Sequence, residues 1–145
     1  MVDWKDRSAG YLVNQVARIF ERGLSARIRP LGLTTGAFPA LLELWEREGL
    51  TQKQLVERLD IEQATMANTL SRMERDGLIR REKDPSDGRV QRVYLTDTSR
   101  ALCDAAIAAA EAENADRLGG LTAAERDRFV TLLNKVIAHS RRTSA

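Results

Sequence analysis

The sequence predicts a mainly α-helical chain with one small β-hairpin. Three observations carry that expectation. Most of the chain repeats its apolar residues at spacings of three and four, which is the period of an amphipathic helix. A single stretch, residues 78–95, instead offers two short strand-like runs around a dense turn cluster. Two short segments with helix-capping signals stand directly before it, so the order is helix, turn, helix, hairpin. That arrangement describes a winged helix-turn-helix.

Element by element, Leu12, Val16, Ile19 or Phe20, and Leu24 place a long helix from about Ser8 to Arg29. Tyr11, Val13, Ala17 and Ile28 widen its stripe, which predicts two packing partners rather than one. Pro30 and Gly32 end it. Thr34 or Thr35 caps a second helix, with Pro39 tolerated in its first turn and Phe38, Leu41, Leu42 and Trp45 inside. Gly49 stops it. Thr51 followed by Gln54 is a capping box, in which hydroxyl and amide satisfy each other's backbone N–H, and it opens a short helix over 51–59. Asp60 to Gln63 offers a similar cap for a helix over 62–76, which Gly77 terminates.

Leu78 to Lys83 and Val90 to Leu95 form the hairpin, with Asp84-Pro85-Ser86-Asp87-Gly88-Arg89 as a polar, charged tip. Thr96 caps a long alanine-rich helix to about Leu118, whose small side chains let another helix approach closely. Gly119 and Gly120 break it. Thr122 and Glu125 form a second capping box, and the last helix carries Phe129, Leu132, Leu133, Val136 and Ile137 at heptad-like spacing. The helices over 8–29, 97–118 and 122–142 are too apolar for a lone small domain, so an intermolecular helical bundle is expected.

Composition narrows the function. The chain has 145 residues and a formal net charge of +2, with 30% charged and 43% hydrophobic residues. That is ordinary for a folded chain, and too balanced to coat nucleic acid by bulk charge. One cysteine, Cys103, allows no internal disulfide or thiolate zinc site, and one histidine, His139, allows no multi-histidine metal site. No metal and no cofactor is expected. No phosphate-binding glycine loop or nucleophile elbow occurs, and the carboxylates sit beside Lys or Arg in helical patterns, so no enzyme is expected. No apolar run is long enough to span a bilayer, and the charged N-terminus lacks an apolar signal core. A cytoplasmic protein with no membrane partner is the expectation.

The second short helix is the informative one. At 100° per residue, Met66, Leu70 and Met73 fall within a narrow arc and form a buried stripe. The opposite face holds Ala64, Thr65, Asn68, Ser71, Arg72 and Arg75, and no carboxylate. Such a strip suits the major groove: Asn pairs bidentately with adenine, Arg with guanine or phosphate, and small methyl-bearing side chains touch thymine. In the hairpin, Arg89 stands at a narrow tip, where an arginine can enter a minor groove, and the nearby aspartates can hold it in place by pairing. Two function classes fit these residues: a DNA-binding regulator, or a protein-interaction adaptor that uses the winged helix without specific DNA binding.

Met73 to Arg81, Asp84 to Arg89, and Val93-Tyr94-Leu95-Thr96, with the element order and length, resemble the MarR family of bacterial transcriptional regulators. The resemblance spans essentially the whole chain. It implies a single MarR-like domain over 1–145, with residues 34–96 as the winged helix-turn-helix and 8–30 and 97–142 as the dimerisation part. It implies a homodimer that binds double-stranded DNA at a palindromic operator, acts as a repressor, and is released by a small aromatic or phenolic effector. Position by position, Gln63, Thr65, Asn68, Thr69 and Arg72 fall in base- or phosphate-facing places. Arg89 matches the wing arginine, and Asp84 and Asp87 match the acidic residues that brace it. Asn68 stands where many members carry a basic residue, and Gly88 where a second basic residue is common.

The residues do not fix an effector pocket. Tyr11, Phe20, Phe38 and Trp45 are aromatic at helical spacing, which favours plain core over a pocket lining. Cys103 reads as an inert thiol, away from the first helix where redox-sensing relatives carry theirs. His139 sits near a helix C-terminus, where it suits the dipole.

Overall fold

A computed structural model describes residues 3–144 of the chain. The order is α1 (Trp4–Arg7), α2 (Ala9–Ile28), a 3-10 turn (Arg29–Leu31), α3 (Phe38–Glu46), β1 (Leu50–Thr51), α4 (Gln52–Leu59) and α5 (Gln63–Arg75). It continues with β2 (Ile79–Lys83), β3 (Gln91–Leu95), α6 (Asp97–Ala101), α7 (Cys103–Arg117) and α8 (Ala123–Ser144). It is mainly helical with one small antiparallel sheet.

The helix boundaries follow local chemistry. Ser8 opens α2, its hydroxyl accepting the Tyr11 N–H at 3.3 Å. Pro30 sits in the 3-10 turn, and Gly32 closes it at φ 79°, a left-handed conformation that glycine takes without a Cβ clash. Thr34 accepts the Ala37 N–H at 3.2 Å. It thus caps the turn before α3, while α3 itself starts at Phe38 with Pro39 in its first turn and no side-chain cap. The Thr51–Gln54 capping box forms in both directions, at 3.1 and 2.9 Å. The expected cap at Asp60 does not form: Asp60 adopts φ 55° and terminates α4, and Glu62 precedes α5 without a side-chain hydrogen bond. The aspartate is consumed in closing one helix and cannot open the next.

The hairpin gains a partner. The sheet has three strands in the order β1-β3-β2, all antiparallel, with Leu50 opposite Val93 and Ile79 opposite Leu95. A two-residue strand has no period to read, so β1 left no signal in the sequence. Beneath the sheet, Leu41, Leu44, Leu55, Met66, Leu70 and Val93 are fully buried and close one continuous core. Ile28, from the end of α2, joins it.

The helix expected over 97–118 is divided. Thr96 caps α6 as anticipated, its hydroxyl accepting the Ser99 N–H. The buried Ser99 hydroxyl then donates to Leu78 O at 2.6 Å, and the Trp45 indole donates to Ser99 O at 3.0 Å. These tertiary bonds hold α6 against Leu78 at the start of the hairpin and against α3, and the helix is interrupted at Leu102 before α7. No Gly or Pro marks the interruption. Glu48 strengthens the same junction: it accepts the Leu95 N–H and two bonds from Arg100. Chiefly through the Arg100 bonds, its carboxyl is held below the ordinary range.

The alanines of α7 allow α2 to pack on it. A Cβ at Gly23 of α2 would overlap the Glu113 carboxylate of α7, so that contact needs glycine. Thr122 and Glu125 form their capping box at the start of α8, at 3.2 and 2.9 Å. No described residue of α8 is buried, and Val136 is 65% exposed. At the far end of α8, Arg141 donates to Arg58 O at 2.9 Å and pairs with Asp60 at 3.1 Å, touching the α4–α5 turn. Among the described residues, no helix is long and apolar enough to cross a membrane.

Candidate functional site: a helix face, a wing and an apolar groove

The core fixes which face of α5 looks outward. Met66, Leu70 and Met73 are buried, and Gln63, Ala64, Thr65, Asn68, Ser71, Arg72 and Arg75 are exposed, with Thr69 half-buried. Arg72 forms no ion pair among the described residues, so its guanidinium is available. Arg75 lies 3.4 Å from Asp76, both exposed, a pairing weak enough for a stronger anion to displace. The Ser71 hydroxyl is engaged by Arg81 Nη2 at 3.3 Å. Arg81 is only 19% exposed and also lies 3.9 Å from Glu74, so it ties the hairpin to α5.

The wing holds its charges in two pairs. Arg89 is 91% exposed, and its guanidinium reaches Asp87 at 3.1 and 3.3 Å. Asp87 also accepts the Arg89 N–H, and these bonds from Arg89 lower its pKa. Asp84 does not touch Arg89. It accepts the N–H groups of Ser86 and Asp87 at 2.7 and 3.3 Å and pairs with Arg92 at 2.6 Å. Its pKa is lowered first by the Ser86 N–H and then by Arg92. Arg92 in turn donates to Gly49 O at 2.7 Å. The two aspartates therefore divide the work expected of both at Arg89: Asp87 orients the tip arginine, and Asp84 shapes the tip backbone and anchors it to β1. The reason is positional, since Asp84 sits at the base of the tip, where its N–H bonds Val90 O. Arg80 is committed within the hairpin, paired with Glu82 and stacked over the Tyr94 ring at 4.9 Å.

Two residues at the start of α4 join this surface without having been singled out in the sequence. Gln52 Nε2 donates to Gln63 Oε1 at 3.1 Å, and with Lys53 it lines a cleft of about 490 Å³ that also includes Arg81 and Arg89. The capping box at Thr51 was their signal, because it fixes where α4 begins. A second hollow of about 240 Å³ lies between the 32–37 turn and α5, with Thr34, Thr69, Arg72 and Arg75 on its walls. The surface thus combines free N–H donors, an acid-free helix face and an exposed tip arginine, which is what phosphate and base-edge contacts need.

On the other side of the molecule, α2, α3, α7 and α8 enclose an apolar groove of about 840 Å³. Phe20 and Phe38 line it. Tyr11 and Trp45 do not: Tyr11 is exposed, and Trp45 packs edge-on against Phe38 at 6.1 Å. Cys103, half-buried at the start of α7, has its thiol pKa raised by burial and by Asp104, which opposes thiolate formation. His139 is exposed on α8.

The MarR family profile matches residues 33–91. The transcriptional regulator HosA of Escherichia coli O111:H- is 33% identical over 105 residues, covering 72% of this chain and 78% of HosA. The HTH-type transcriptional repressor Rv2887 of Mycobacterium tuberculosis is 32% identical over 131 residues, covering 90% of this chain and 94% of Rv2887. The solved complex of Rv2887 with salicylic acid superposes with a TM-score of 0.70 at 32% identity, covering 89% of this chain and 96% of that one. The structure of Bordetella bronchiseptica BpsR, described as regulated in DNA binding by 6-hydroxynicotinic acid, gives a TM-score of 0.85 at 27% identity, covering 94% and 96%.

Proposed function

Because the chain belongs to the MarR family of transcriptional regulators, we propose that it is a homodimeric repressor that binds a palindromic operator and is released by a small-molecule effector. The exposed, acid-free face of α5, set beside the 91% exposed wing Arg89, carries this reading. On it, α5 enters the major groove. Gln63, Ala64, Thr65, Asn68 and Arg72 meet base edges there, while Thr69 and Arg75 face the phosphates. Arg89, oriented by Asp87, enters the adjoining minor groove, with Asp84 holding the wing in shape.

The helical segments over 8–30 and 97–142 join two copies, and residues 34–96 form each copy's DNA-binding part. Exposed apolar side chains along α2 and α8 support that division, since they need cover in water. The effector reading draws on the groove between these two parts and on relatives whose structures are described with small aromatic acids.

The test is affinity for a duplex chosen by selection from random sequences. Arg72→Ala is expected to weaken specific binding by about 1–3 kcal/mol while leaving non-specific, salt-dependent binding largely in place. An Asn68→Ala, Arg72→Ala double variant with unchanged DNA binding and unchanged regulated output favours an adaptor module instead.

A further inference from the structure

The groove has a charge character of its own. Its walls are almost wholly apolar, and none of its lining residues is Lys, Arg or His. Three carboxylates line it: Glu21 on α2, and Glu111 and Glu113 on α7. Glu113 is 2% exposed and sits at the α2–α7 contact, over Gly23. Its Oε1 accepts from Arg27 Nε at 3.4 Å. Its Oε2 pairs with Arg117 Nε at 2.8 Å, so both oxygens of Glu113 lie against guanidinium groups.

The local charges sum to an acidic site. Arg27 and Arg117 offset Glu113 and Asp116, to which Arg27 is also paired. Glu21 accepts only from the Thr35 hydroxyl, at 3.3 Å. Neither Glu21 nor Glu111 has a cationic partner among the described residues, so the groove walls carry two uncompensated negative charges. An organic acid placed in this groove would meet like charge at Glu21 and Glu111 on its rim. An organic cation would meet opposite charge at Glu21 and Glu111.

The geometry points to an amphipathic amine, an apolar or aromatic body with one protonated nitrogen, as the class of small molecule this groove takes. The apolar body fills the space between Phe20, Leu24, Phe38 and Leu42, and the ammonium faces Glu21 and Glu111. This rests on the effector reading above and narrows it: the ligand differs in charge from the carboxylic acids named for the related structures.

The test is calorimetric titration of the full chain with 4-phenylbutylamine and with 4-phenylbutyrate, which share a body and differ in the sign of the head group. The amine is expected to bind at least about tenfold more tightly. In a Glu21→Gln, Glu111→Gln double variant, at exposed positions that do not support the core, that preference is expected to shrink severalfold.

Equal or tighter binding of the butyrate overturns the proposal, as does an amine preference unchanged in the double variant. Amine binding seen only at dilutions where the chain is monomeric also overturns it, since the groove is then filled by a second copy. Operator selection on the same protein separates the two readings. Selected DNA with no amine preference defeats this inference alone, and amine binding with no selected DNA defeats the regulator reading alone.

Discussion

The two halves of this molecule solve burial differently. From Leu33 to Leu95, helices and sheet share one closed core, and the apolar side chains of α5 are spent within it. In α2, α7 and α8 the balance reverses. Ala106 and Glu113 are the buried residues of α7, α8 has none among those described, and Val13, Val130, Leu132, Leu133, Val136 and Ile137 remain exposed. The winged-helix half is complete as one chain. The helical half has an unfinished surface, and continuous apolar faces of this kind mark an interface. The DNA-facing part thus closes its core within one chain, with Ile28 of α2 and Ala106 of α7 contributed by the helical half.

That contrast can be broken from either side. The largest effect is expected from a charge in the unfinished surface. Val136→Asp, paired with Leu133→Asp, should convert dimer to monomer in light scattering at micromolar concentration and remove the concentration dependence of thermal unfolding. The winged-helix half should stay folded by near-ultraviolet circular dichroism. In the closed core, Leu70→Ala should cost about 2–5 kcal/mol in denaturant unfolding, because Leu70 is fully buried and its truncation leaves a cavity beneath α5. Smaller again is the Arg72→Ala loss of about 1–3 kcal/mol in specific DNA affinity, with no change in stability or mass.

The smallest effect concerns the wing and its pH dependence. The folded-state pKa values of Asp84 and Asp87 are lowered by their hydrogen bonds and arginine partners. Their contribution is therefore present above the unfolded carboxyl range, near about pH 4, and is lost as pH falls through the lower folded values. Wing amide signals in a magnetic resonance titration should report this loss below about pH 4, before the core unfolds. Asp84→Asn should remove part of that dependence and loosen Arg92 without moving α5.

Much of the fold was legible because its signals are local. The two capping boxes, the Met66–Leu70–Met73 stripe and the turn cluster from Asp84 to Arg89 each need only a few neighbouring residues to be read. What escaped depends on partners distant in sequence. Strand β1 exists because Leu50 and Thr51 meet β3, and the interruption at Leu102 follows from Ser99 bonding Leu78 and from Trp45 of α3 bonding Ser99. Asp60 looked like a cap and instead closes a helix in a left-handed conformation. In the site, the outward face of α5 could be read from periodicity, whereas the division of Asp84 and Asp87 between Arg92 and Arg89 required the hairpin's geometry. The carboxylates of the groove looked like solvated helix faces. Only the approach of Gly23 to Glu113 brings one of them inside.

Central to the proposed function is whether the closed half reads DNA in the symmetric arrangement that the unfinished half would impose. The direct measurement is selection by the full chain from random duplexes at a fixed, stated salt concentration. The prediction is an enriched inverted repeat with half-site centres about 10 base pairs apart, bound by two copies. Recovery of unenriched sequence, or of a single half-site bound by one copy, would contradict it.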